Sequence, residues 1–233
     1  LIYTIIFLFL NIPYFIKGFI ELVSIDFNNK FEDELLVNFG LLLLIPLGLL
    51  LGYFSNKNNF KIIFKDIRPF RTLYYILLFF IGSIVGIQVG EMPINQINIF
   101  YFFLIPTSII FAWLFSVITN NIVDYEIDKI SNKQRPLIKY KFEQRTYWKI
   151  AWLFLFISLF FAFVVDLQAF LFISIFIASY FIYSMPPIRF KRVTFFSKFA
   201  IGLNSLLMVL LGYSLFRGSI LDFPSSAILF FLV

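Results

Sequence analysis

An all-α polytopic transmembrane helical bundle, of about seven spans plus the start of an eighth, is predicted by three observations. The 233-residue chain is 61% hydrophobic with 36 Phe, and its mean hydropathy of +0.93 lies far from that of a soluble domain. Stretches such as Leu41–Leu51 are apolar throughout, whereas a transmembrane β-strand would alternate apolar and polar residues. The loops between the stretches alternate in charge, as a membrane topology requires.

The first span, at about 1–16, lacks the basic start and the small-residue cleavage site of a signal peptide. With the second, at about 35–54, it makes a helical hairpin joined by an acidic outer loop from Phe27 to Glu34. Residues 1–60 are therefore read as an N-terminal transmembrane hairpin of unknown role, and 61–233 as a separate core. The stretch from Lys61 to Thr72 is a basic, amphipathic approach to the membrane. Pro69 falls in the first turn of the third span, 72–90, where its missing N–H costs nothing. Gly82, Gly86 and Gly90 follow at four-residue spacing and predict close helix packing. The fourth span, 99–123, runs into a polar stretch, and the fifth and sixth occupy about 150–166 and 168–185. Pro186 and Pro187 end the sixth, since neither can donate a backbone hydrogen bond. A seventh span covers about 199–216 and another begins near 226. The chain starts at Leu1 inside one apolar run and stops at Val233 inside another, so it is expected to be a piece of a longer reading frame.

Nineteen Lys and Arg against thirteen Asp and Glu give a net charge of +6. Its distribution points to a membrane and not to nucleic acid. Segments 55–71, 124–149 and 186–198 carry 16 of the 19 basic residues, so a single orientation puts every basic loop in the cytoplasm. The chain has no Cys and no His, which excludes disulfides, thiolate catalysis, the usual zinc sites, His-ligated haem and every His-based triad. Any metal must be held by oxygen, which points to a hard cation such as Mg²⁺.

The polar stretch after the fourth span reads Asn120-Asn121-Ile-Val-Asp124-Tyr-Glu-Ile-Asp128. In a continuous helix Asn120, Asp124 and Asp128 line one face and aim at a single point. Acids at a helix C-terminus oppose the macrodipole by about 0.3–1 kcal/mol each, and at a membrane helix end they call for a cation or a function. Arg135-Pro136 follows in a basic loop, and the sixth span ends in Tyr183-Ser184-Met-Pro186-Pro187-Ile-Arg189-Phe-Lys191-Arg192. Tyr183 alone reads as a member of the interfacial aromatic belt. Carboxylates, cations and an apolar interior on one side of the membrane are what a lipid diphosphate requires.

These motifs together resemble the UbiA superfamily of membrane prenyltransferases over roughly residues 61–220. That family carries Asn-Asp-x-x-Asp-x-x-x-Asp at the end of its second helix, an Arg-Pro seven residues beyond it, and a Tyr-Ser/Pro-Pro/Arg/Lys pattern after its fourth helix. Arg68-Pro69-x-x-Thr72 is similar to the start of its first. Asn121 departs from the pattern by replacing the motif's first Asp, and a second Asp-rich motif falls beyond the residues of this sequence. The resemblance implies Mg²⁺-dependent transfer of a polyprenyl group from its diphosphate to a lipophilic acceptor in the cytoplasmic membrane. Asn120, Asp124 and Asp128 are the expected metal ligands. Asn120, Arg68, Arg135, Tyr183, Arg189 and Lys191 are the expected diphosphate contacts. Asp124, Asp128, Arg135 and Lys191 are the expected catalytic residues, and aromatic walls would face the allylic cation. The 233-residue piece alone is expected to be a poor catalyst. An aromatic quinone precursor is the commonest acceptor for the family; a glycerol phosphate, a porphyrin-type alcohol and a sugar phosphate stay open. The competing class is a non-catalytic membrane protein that binds or transports a lipid phosphate.

Overall fold

The computed structural model describes residues 29–90, 99–217 and 220–224. The spans expected at 1–16 and near 226 lie outside them. Among the described residues there are nine α-helices, one 3-10 turn and no strand, and six of the helices are long and apolar enough to cross a membrane. The chain divides into two compact units, Leu1–Phe60 and Lys61–Val233.

In the first unit α1 spans Asn29–Ser55 and contains Pro46. The helix α2, Lys57–Phe64, begins directly after it. Asn56 supplies the cap, its side-chain oxygen accepting from the Asn59 N–H at 3.0 Å. The Tyr53 ring meets Phe60 edge-on at 5.7 Å and carries the Lys57 ammonium over its face at 5.4 Å.

The second unit holds α3 (Pro69–Gly90), α4 (Tyr101–Val123), α5 (Tyr125–Ser131), α6 (Pro136–Lys139), α7 (Gln144–Val165), α8 (Leu167–Ser184), a 3-10 turn at Phe190–Arg192, and α9 (Thr194–Arg217). Helix α3 packs on α9, α9 on α8, α8 on α4 and α4 on α3, while α7 packs on α4 and α8. Helix α4 is accordingly buried nearly all round, as its uniform apolarity requires. The exposed large residues of α7, among them Phe156, Phe160 and Phe163, face away from the protein, toward what the composition makes a lipid environment. A single residue, Asp166, connects α7 to α8.

Two interfaces explain how these helices approach. A Cβ built on Gly82 would lie 2.0 Å from the Val209 carbonyl oxygen, and one on Gly212 would lie 2.1 Å from the Phe79 oxygen. Helices α3 and α9 thus meet backbone to backbone, with Gly86 facing Tyr213 one turn further on; Gly90, the third glycine of the spacing, is partly exposed. Between α4 and α7 two serines clasp each other: Ser108 Oγ donates to the Ser158 carbonyl at 2.8 Å and Ser158 Oγ to the Ser108 carbonyl at 2.9 Å. The two serine hydroxyls thus bond to backbone carbonyls of the neighbouring helix within the buried interface.

The helices overrun the apolar spans read from the sequence. The fifth span, expected from 150, is helical from Gln144, and the seventh, expected from 199, is helical from Thr194. Hydropathy marks where lipid tails end, whereas backbone hydrogen bonding continues into the polar layer. The fourth span ends where it was expected to, but the polar stretch after it does not continue the same helix. Its helix stops at Val123, one residue before the acid that was expected to continue it.

Candidate functional site

Three connections on one side of the second unit meet: the loop before α3, the α4–α5–α6 segment, and the turn between α8 and α9. The first is fixed by its backbone. The Ile67 carbonyl accepts from Thr72 Oγ1 at 2.8 Å and from Trp113 Nε1 at 3.2 Å, which ties the loop to both α3 and α4. That loop carries Asp66 and Arg68.

At the second connection Asp124 stands between two helices with φ −87° and ψ 5°. The i,i+4 bonding persists across the break: Asp124 N–H donates to the Asn120 carbonyl at 3.0 Å and Asp128 N–H to the Asp124 carbonyl at 2.8 Å. Asp128 therefore lies in the first turn of α5, where the dipole favours an acid. The macrodipole penalty expected for it does not arise. The side chains of Asn120 and Asp124 join one hydrogen-bond network and that of Asp128 another, and Asp128 lies near enough to feel the charges of Asp124 and Lys191.

In one network the Asp124 carboxylate receives Arg189 Nη2 on Oδ1 and Lys191 Nζ on Oδ2, each at 2.5 Å. Asn120 Oδ1 accepts from Lys191 Nζ at 2.9 Å and from Ser184 Oγ at 3.1 Å. The α8–α9 turn delivers both cations, with Arg189 in a left-handed backbone conformation at φ 51°. Burial lowers the Lys191 pKa in spite of the carboxylate beside it.

The other network is centred on Asn121, only 1% exposed. Its Nδ2 donates to Asp66 Oδ1 at 3.1 Å, while its Oδ1 accepts from Arg68 Nη2 at 3.4 Å and Arg135 Nη1 at 3.1 Å. Arg135 also faces Asp128, Nε to Oδ2 at 3.5 Å, and neither of those atoms has a hydrogen-bond partner among the described residues. Arg135 is extended, as a residue before proline should be, whereas Arg68, also before a proline, has φ 50°. Burial pushes the Asp66 carboxyl up to about 6 against the pull of Arg68 and Arg135. It also raises the Asp128 pKa and lowers that of Arg68, to which the nearby Arg135 charge adds.

Next to both networks, toward the bundle interior, four aromatic rings pack together: Tyr75 of α3, Trp113 of α4, and Phe176 and Tyr180 of α8. Their centroids are 5.1–6.2 Å apart, and the Tyr75 and Tyr180 hydroxyls are hydrogen-bonded. Trp113 touches the Arg68 loop through Ile67, and Tyr180 lies one turn before Ser184 on α8.

Three carboxylates and two side-chain amides thus stand among four cations at the mouth of an aromatic-lined bundle. The model of the UbiA prenyltransferase family matches residues 79–233. The chain belongs to that family. Two solved structures share the fold: a UbiA homolog from Archaeoglobus fulgidus bound to DMAPP and Mg²⁺ (TM-score 0.59, 21% identity) and a UbiA homolog from the same organism bound to GPP and Mg²⁺ (TM-score 0.58, 22% identity). Each match covers 73% of this chain and 58% of the other, so the chain spans less than two thirds of their length. Among curated proteins none matches.

Of the residues singled out in the UbiA motifs, Asn120, Asp124, Arg189 and Lys191 meet in the first network and Arg68, Asp128 and Arg135 in the second. Tyr183 joins neither; its hydroxyl accepts from Ser197 Oγ at 3.4 Å and its ring meets Tyr180. Two participants escaped the sequence reading: Ser184 sat inside a motif without a role, and Asp66 was a lone acid in a basic loop. Asn121 was marked there only as a departure from the motif, not as the centre of a network. Among the described residues no three acidic side chains gather as a metal site. The Asp124 and Asp128 carboxylates and the Asn120 oxygen form a hard donor set, in which the buried Asp128 Oδ2 accepts no hydrogen bond and faces only the Arg135 guanidinium. Such a set suits one Mg²⁺, which takes one or two carboxylates and fills its remaining positions with water and phosphate oxygen.

Proposed function

We propose that the protein is an integral membrane prenyltransferase that moves a prenyl group from its diphosphate to a lipophilic acceptor, with Mg²⁺ as cofactor. The observation that carries this is the pairing of a cation-and-carboxylate site with an aromatic quartet, in a chain of the UbiA family. Four cations, Arg68, Arg135, Arg189 and Lys191, stand against three carboxylates, Asp66, Asp124 and Asp128, leaving one positive charge over. A diphosphate ester with one Mg²⁺ carries roughly one net negative charge and is its complement. Asp124, Asp128 and Asn120 would hold the metal. When bound, Mg²⁺ neutralises charge on the departing diphosphate.

The arginines and Lys191 bind the phosphate oxygens, Arg through paired bonds. In doing so Arg189 and Lys191 exchange the Asp124 carboxylate for the substrate. The allylic C–O bond breaks with its electron pair leaving on the diphosphate, whose new charge these cations stabilise. The faces of Tyr75, Trp113, Phe176 and Tyr180 exclude water and attract the allylic cation, by about 0.5–2 kcal/mol per ring. The acceptor closes a new bond to that carbon and gives up a proton. Residues 61–233 are assigned to this catalytic core, and the charge bias of the loops supports a site on the cytoplasmic face of the cell membrane.

The test is incubation of membranes containing the protein with radiolabelled polyprenyl diphosphate and a panel of acceptors, with Mg²⁺ or with chelator. Mg²⁺-dependent label in one acceptor is the expected result. Absence of transfer to any acceptor by folded protein would leave the lipid-phosphate-binding alternative as the better reading.

A further inference from the structure

Asn121 occupies the position that the UbiA motif fills with aspartate, yet a carboxylate is still present there. It comes from a different loop. Asp66, 2% exposed, places Oδ1 3.1 Å from Asn121 Nδ2. Its Oδ2 has no hydrogen-bond partner, and it forms no ion pair among the described residues. The hydrogen-bonded link from this acid to the arginines therefore runs through the amide, beside the direct attraction that Arg68 and Arg135 exert on it. An amide is the side chain that can do this, donating to an anion from one end and accepting from cations at the other. Arg68 and Arg135 converge on one Asn121 oxygen at 3.4 and 3.1 Å. Two guanidinium groups held that close repel, and the negative charge behind the amide is that of Asp66. Rotating the Asn121 amide by half a turn would point its NH₂ at both guanidinium groups, donors against donors. Asp66 selects the other orientation.

We infer that Asp66 is a positioning residue of the diphosphate site: through Asn121 it holds Arg68 and Arg135 together to receive phosphate oxygens, and it supplies from the loop before α3 the charge that the motif elsewhere carries at 121. The inference rests on the diphosphate reading of the site given above. It makes the pair exchangeable. With Asp66→Asn and Asn121→Asp combined, an amide at 66 donates to a carboxylate at 121, which accepts from both arginines. Every donor and acceptor is matched again and the net charge is unchanged. Either substitution alone breaks the match. Asp66→Asn removes the charge and leaves two amides of undefined orientation. Asn121→Asp sets two buried carboxylates against each other.

The experiment measures equilibrium binding of inorganic pyrophosphate with Mg²⁺ to the purified protein in detergent, beside the thermal melting midpoint and the KM and kcat of prenyl transfer. Each single substitution is expected to weaken pyrophosphate binding by about tenfold or more, the effect of losing one charge-assisted hydrogen bond. The melting midpoint shows whether each variant is folded, and in folded variants the loss should appear in KM for the prenyl diphosphate more than in kcat. The exchanged pair is expected to return to within about threefold of wild-type affinity. Wild-type or tighter binding by Asp66→Asn would overturn the inference, as would a folded exchanged pair no better than the weaker single variant. An exchanged pair that does not fold overturns it too, since its matched donors and acceptors predict a fold even where the single variants have none. Failure of the wild type to bind pyrophosphate overturns both this inference and the diphosphate reading. Binding that follows the expected order in a protein without prenyl transfer overturns the transferase reading alone.

Discussion

Asp124 and Asp128 look equivalent in the motif and are not. Asp124 is clamped by Arg189 and Lys191 at 2.5 Å, whereas Asp128 faces one guanidinium at 3.5 Å without a hydrogen bond. Asp124→Asn and Asp128→Asn are each expected to lower kcat/KM for prenyl transfer by about a hundredfold or more while membrane insertion is kept. Wild-type turnover in either variant would refute the proposed roles. Asp66 makes a different prediction, one about pH. Its carboxyl titrates near 3.8 when unfolded and at about 6 in the fold, raised by burial against Arg68 and Arg135. The folded protein thus holds this proton more tightly than the unfolded chain does. Stability from this group is full below pH 4 and falls as pH rises toward 6, by at most about 3 kcal/mol. Between pH 4 and 7 the melting midpoint of Asp66→Asn should gain on that of the wild type; parallel curves would refute the shift. The roles of Asp124 and Asp128 were proposed from the motif, but the behaviour of Asp66 was not legible in the sequence. One acid among Lys57, Lys61, Lys65, Arg68 and Arg71 reads as a solvated loop residue, and its burial depends on Asn121, 55 positions away.

Helices were legible wherever hydropathy decides them. The six long helices fall where apolar runs of sufficient length stand, and the glycine spacing of α3 correctly predicted close packing. The partner could not be read, because the glycines that meet α9 say nothing of what they meet. The break at Asp124 was hidden for another reason: it changes backbone angles at one residue while preserving the i,i+4 bonds on either side, and a pattern of side chains sees only the latter. The α3–α9 contact yields a stability prediction. Gly82→Ala would drive a methyl to 2.0 Å from the Val209 carbonyl oxygen, and Gly212→Ala one to 2.1 Å from that of Phe79. Either should destabilise by about 1–3 kcal/mol or force the helices apart. Gly48→Ala in α1, where a Cβ meets open space, should leave the melting midpoint unchanged or raise it by the helix propensity difference. Equal effects at all three positions would mean that α3 and α9 are not in backbone contact.

At the scale of the second unit, the described connections gather their basic charge on one side. The α7–α8 connection is Asp166 alone, while the connections before α3, from α4 to α7 and from α8 to α9 carry the charged residues of the candidate site. The absence of native cysteine makes sidedness directly measurable. Lys133→Cys and Asp166→Cys, both at exposed positions, are expected to differ on intact cells. An impermeant maleimide should label position 166 at once and position 133 only after permeabilisation. The reverse pattern would put the site outside and remove the basis for a cytoplasmic location. The sequence assigns an orientation by a tally of loop charge, which the labelling tests; the division of the site into two hydrogen-bond networks was not legible, because it depends on which loop reaches which.

Arg68 and Arg189 hold left-handed backbones, at φ 50° and 51°, that glycine adopts freely and other residues adopt at a cost of order 1–3 kcal/mol. Selection for stability and selection for chemistry therefore pull these two positions apart. Arg68→Gly and Arg68→Ala lose the same guanidinium, but only the glycine relaxes the backbone, so the difference between their melting midpoints measures the strain itself. Under relaxed selection for activity, descendants of this chain should drift to glycine at 68 and 189 early, becoming sturdier as they fall silent.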